Sequence, residues 1–90
     1  MKDFLLYLHS ELSRLLIKKS SSTLEKADED LLQRISETVS FLESFAEISK
    51  DGRLYGIVED LEYSIRHLWI PFKAEAALKD VEKNIIAHYE

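Results

Sequence analysis

Apolar residues recur at three- and four-residue steps in successive blocks along the chain, the spacing that draws one stripe down an α-helix. The longest block spans residues 22–49. Its stripe runs Leu24, Ala27, Leu31, Ile35, Thr38, Leu42, Phe45 and Ile48, and Leu32, Val39, Phe41 and Ala46 widen it. A stripe this wide predicts a helix that meets two neighbours rather than one. Ser22-Thr23-Leu24-Glu25 has the S-x-x-E pattern of a capping box, in which hydroxyl and carboxylate satisfy each other's backbone amides. Glu25, Asp28, Glu29 and Asp30 then place negative charge at the positive end of the helix dipole. Lys50-Asp51-Gly52 stops the pattern, with Gly52 expected in the left-handed conformation that ends many helices. At 1.5 Å per residue such a helix is roughly 40 Å long.

Shorter blocks flank it. Residues 3–17 form a helix opened by Asp3, with Leu5, Leu8, Leu12, Leu15 and Leu16 on its stripe. Glu11 and Arg14 lie one turn apart and can pair, and Lys18 and Lys19 suit the C-terminal end of the dipole. Lys19-Ser20-Ser21-Ser22 is a short linker, which makes the first two helices antiparallel neighbours. Residues 53–69 carry Leu54, Ile57, Val58, Leu61, Ile65 and Leu68, and Gly56 inside this helix is expected to mark a close helix crossing. Pro71 removes a backbone donor and clashes with the preceding turn, so it ends that helix and suits the first turn of the next. The last helix, 71–88, has Ala74, Leu78, Val81 and Ile85 on its stripe. The pattern predicts an all-α fold: a single domain over 1–90, a small antiparallel up-and-down four-helix bundle. The alternative is three helices with the last kinked at Pro71.

Composition adds exclusions. Two glycines and one proline argue against a turn-rich β fold. The absence of cysteine removes disulfides, thiolate metal sites and a Cys nucleophile, and fits a cytoplasmic protein. A net charge of −5 and the lack of a basic stripe argue against nucleic acid and favour a basic protein partner or simply a solvated surface. The apolar run Phe4–Leu8 is too short to span a membrane. With the following Lys pair, helix 3–17 has an alternative reading as an interfacial membrane helix.

No constellation points to catalysis. His9, His67 and His88 have no metal-ligand spacing, and no cofactor or metal is expected. Arg66 and His67 suggest a helical ribonuclease only until the next residues are read, since Leu68 to Pro71 lack the polar spacing that chemistry needs. The acidic runs Asp28-Glu29-Asp30 and Glu59-Asp60-Glu62 spread around a helix rather than converge, and read as solvated faces. No phosphate-binding glycine loop or nucleophile elbow is present.

The densest apolar stretch, Leu68-Trp69-Ile70-Pro71-Phe72, reads first as a buried corner where the chain turns. Its other reading is an exposed patch in which Trp69, Ile70 and Phe72, extended by Tyr55 and Tyr63, bind a protein partner. The expected function is a non-enzymatic protein-binding bundle of inhibitor or immunity type, with a structural homo-oligomer and a peripheral membrane protein as alternatives.

Overall fold

Four helices fill the computed structural model, which describes residues 1–89: α1 Lys2–Ser21, α2 Lys26–Ser49, α3 Gly52–Arg66 and α4 Pro71–Tyr89. They form a helical bundle 39 × 22 × 20 Å in extent. Its long dimension matches α2, whose 24 residues span about 36 Å.

Each helix turns one stripe inward. The core joins Leu5, Leu8, Leu12 and Leu15 of α1 to Ile35, Val39 and Leu42 of α2. Leu54, Ile57, Val58 and Leu61 come from α3, and Ala74, Leu78, Val81 and Ile85 from α4. The most extensive helix pair is α3 with α4, and α4, with the small residues Ala74 and Ala77 on its buried face, also packs on α1. Ser64 is the buried polar residue of α3, and it costs little: its hydroxyl donates to the Leu61 carbonyl at 2.7 Å.

The helix ends differ from the sequence expectation, and the differences have local causes. α1 runs on to Ser21, because the hydroxyls of Ser20 and Ser21 bond back to the Ile17 carbonyl and that of Ser22 to the Lys18 carbonyl. Ser22 is therefore spent closing α1 and does not cap α2. The capping box of α2 is instead Glu25 with Asp28, whose carboxylate accepts from the Glu25 amide at 3.1 Å. Met1, not Asp3, precedes the first helical residue.

At the other end of α2 the left-handed residue is Lys50, with φ 55°. Its amide and that of Asp51 bond to the closing carbonyls of α2. Asp51 then caps α3, accepting from the Leu54 amide at 3.1 Å, so Gly52 is an ordinary helical residue. Gly56 marks no close crossing either: nothing lies within 4 Å of where its Cβ would stand.

Pro71 reverses the chain rather than kinking it. α3 ends at Arg66, and the Ile70 amide bonds to the His67 carbonyl at 2.9 Å across the turn. α4 then starts on Pro71 and packs back along α3. The short linker between α1 and α2 does not make them close partners over their length: α1 contacts α4 far more than α2.

Candidate protein-binding surfaces

The sequence places five residues in one candidate patch, and the structure sets one of them, Tyr55, apart from the rest. The turn between α3 and α4 buries Leu68 but leaves Trp69 64% and Phe72 71% exposed, with Ile70 half-buried. The buried-corner expectation therefore holds for Leu68 alone. A turn of four residues can direct only some of its side chains inward, and Leu68 takes that direction. Trp69 stands over a groove of about 520 Å³ between the start of α2 and the end of α3, floored by Leu24, Leu32, Ile65 and Leu68. Lys19, Glu29 and Arg66 set charges of both signs on its rim.

Tyr55 lies in the first turn of α3 and Trp69 in the turn that follows its last residue, Arg66, with about 16 Å of helix between them. It does not extend the Trp69 patch. Tyr63 is 38% exposed and stacks on His67, with ring centroids 4.1 Å apart. The His67 ring is also held by a contact of 3.0 Å between Nδ1 and the Tyr63 carbonyl oxygen.

What the tyrosines do share is an acidic face. α2 and α3 form a hairpin about Asp51, which sets Glu43 and Glu47 beside Tyr55, Glu59 and Glu62. Hydrogen bonding to Glu62, and then its charge, raises the Glu43 pKa above 4.5. Glu59 raises the Tyr55 pKa, first by accepting its hydroxyl proton in a hydrogen bond and then by its charge. Arg66 binds Glu62 at 3.1 Å and is the cation lining the cleft shared by Glu43, Glu59, Asp60 and Tyr63. Sequence reasoning read Glu59, Asp60 and Glu62 as dispersed around one helix, which they are. The convergence is with α2. Its signal was available: reflecting the chain about a tight turn at Asp51 puts Glu43 opposite Glu59 and Glu47 opposite Tyr55.

A second feature escaped the sequence. Asp28 is buried, at 6% exposure, and its carboxylate takes the Lys18 ammonium at 2.6 Å and lies 3.8 Å from the Arg14 guanidinium. Hydrogen bonding to Lys18, then to the Glu25 amide, lowers the Asp28 pKa, and the same contact raises that of Lys18. Asp28 falls in step with Leu32, Ile35 and Val39, so an acid on a core stripe was the clue. The pair ties the end of α1 to the start of α2, and Lys18 adds a second contact there with Glu25 at 3.9 Å. Arg14 also pairs with Glu11 at 3.0 Å, as the spacing predicted.

No group of three or more metal-ligating side chains occurs among the described residues. None of the helices they form is long and apolar enough to cross a membrane. No protein-family model, curated protein or solved structure matches this chain.

Proposed function

We propose that this chain is a non-enzymatic protein-binding bundle whose α2/α3 acidic face engages a basic protein partner, in the manner of an inhibitor or immunity protein. The observation that carries the reading is the cleft between α2 and α3 that Glu43 shares with Glu59, Asp60 and Glu62. Two carboxyl groups held together on a surface carry a repulsion that solvent only partly relieves, and a cation brought by a partner would relieve it. Tyr55 and Tyr63 flank the face and supply the rigid aromatic area typical of binding centres.

The test is capture from the native host lysate at low and high salt, with Glu59→Lys/Glu62→Lys as the comparison chain. One stoichiometric partner, lost at high salt and lost to the double variant, supports the reading. A partner that ignores both changes refutes it. Such a partner would direct attention to a second surface, supported by Trp69: an exposed indole over an apolar groove is a ready anchor, and its binding would resist salt. The Trp69→Ala chain separates the two.

A further inference from the structure

α2 carries two stripes, side by side. The inner one, Leu32, Ile35, Val39, Leu42 and Ala46, faces the core or its margin. The outer one is displaced by one residue: Leu31, Arg34, Thr38, Phe41, Phe45 and Ile48. Its steps alternate between three and four residues, the heptad spacing with which helices pack in left-handed pairs. Its first half is partly covered, since Leu31 packs against the edge of the core and Thr38 is half-buried, but its second half stands in water: Phe41 is 68% exposed, Phe45 46% and Ile48 83%.

We propose that this outer seam is a self-association surface, on which a second copy of the chain lays its own α2 antiparallel about a two-fold axis. The seam reads the same in both directions, so one overlap engages all of it. Leu31 then meets the partner's Ile48, Arg34 the partner's Phe45, and Thr38 the partner's Phe41.

Each pairing is chemically sound. Arg34 makes no ion pair among the described residues, so its guanidinium is available to lie on an aromatic face. The Thr38 hydroxyl is already engaged, donating to the Arg34 carbonyl at 2.9 Å, and leaves its methyl for the interface. Beside the seam, Glu37 falls opposite the partner's Ser44, so no like charges oppose one another. A parallel pair would set Arg34 on the partner's Arg34 in one layer of the seam, which is repulsive. The charge order along the helix thus selects the antiparallel arrangement.

The area fits a reversible dimer. Phe41, Phe45 and Ile48 leave roughly 400 Å² of apolar surface in water per chain, judged from the usual area of such side chains. With Leu31, Thr38 and the Arg34 stem, complete burial of the seam removes at most about 1,200 Å² in total, the lower end for a specific interface.

Sedimentation equilibrium of the full chain, from about 5 μM to about 1 mM, the range in which weak reversible dimers form, tests this. The expected average mass rises from 10.5 kDa towards twice that value, and persists at high salt because the seam is apolar. Phe41→Glu should stay monomeric throughout with its helical circular dichroism intact, since Phe41 is outside the core. Phe72→Glu, on another exposed aromatic, should dimerise like the unaltered chain. Because the chain has no cysteine, orientation is read by oxidation: Glu37→Cys/Ser44→Cys should cross-link and Glu37→Cys alone should not. The proposal is overturned by a native chain that stays monomeric at the highest concentration, by Phe41→Glu dimerising normally, by Phe72→Glu abolishing the dimer, or by Glu37→Cys cross-linking alone. These outcomes are independent of the acidic face, whose binding is lost at high salt.

Discussion

Leu68 and Trp69 are adjacent in sequence and opposite in environment, so truncating each in turn tests the turn between α3 and α4. Leu68 is 2% exposed, inside the core cluster. Replacing it with Ala removes buried carbon and leaves a cavity, at about 2–5 kcal/mol. For a domain of this size each kcal/mol moves the melting temperature by about 4–8 °C, so Leu68→Ala should lower it by at least roughly 8 °C. Trp69 keeps 64% of its surface in water, so a little over a third is shielded. At about 25 cal/mol per Å² the shielded part, roughly 90 Å², is worth at most about 2 kcal/mol. Partial burial in the unfolded chain reduces that towards about 1 kcal/mol, or roughly 4–8 °C. Thermal melts followed by helical circular dichroism would measure both. The single tryptophan adds a second readout: native emission should be close to that of the unfolded chain, since its indole is already in water. A fall for Trp69→Ala equal to or larger than that for Leu68→Ala, or a strongly blue-shifted native emission, would refute the assignment of Leu68 as core and Trp69 as surface.

Three further outcomes follow from the helix ends and the charges. Gly56→Ala should raise the melting temperature, by roughly 4–8 °C for about 1 kcal/mol of helix propensity, because the added methyl meets nothing within 4 Å; a fall would reveal a close neighbour. The Asp28 pKa is depressed below 3.8 by Lys18, so its contribution is present above that value and lost as pH falls through the lower folded-state value. Asp28→Asn should therefore melt lower than the native chain at neutral pH and show a flatter acid limb; identical acid limbs would dismiss the ion pair as a stabilising contact. Glu43 has the opposite sign: its pKa is raised above 4.5 by Glu62, so its ionisation opposes folding as pH rises through the raised value. Glu43→Gln should melt higher than the native chain at pH 7, with the difference disappearing below pH 4.5, and a lower melting temperature at neutral pH would refute the repulsion.

The acidic face and the outer seam of α2 show different degrees of legibility. The seam is a matter of periodicity, and a stripe too wide for one neighbour was visible in the order of Leu31, Thr38, Phe41, Phe45 and Ile48. Which half of that stripe would be covered was not, because the choice depends on where α1 and α3 lie. The acidic face needs the register of a hairpin as well as the helices, and Tyr55 falls outside the patch expected with Tyr63 and Trp69 because it lies at the start of α3 and Trp69 beyond its end.

By itself the sequence determined the helices and their inward stripes, since a 3.6-residue period is a local property that any neighbour must accommodate. It determined the break at Pro71 too, because a missing donor and a fixed φ act within one turn. The helix ends needed more: Ser22 could cap α2 or close α1, two options of similar energy, and the Lys18–Asp28 contact favours the arrangement in which Glu25 and Asp28 form the box. Tertiary structure alone decided that α1 packs mainly on α4, that the chain reverses at Pro71, and that Trp69 and Phe72 face water while Leu68 does not. Those outcomes depend on which buried faces fit one another in volume and shape, and the small residues of α4 settle that only once four helices compete for the same core.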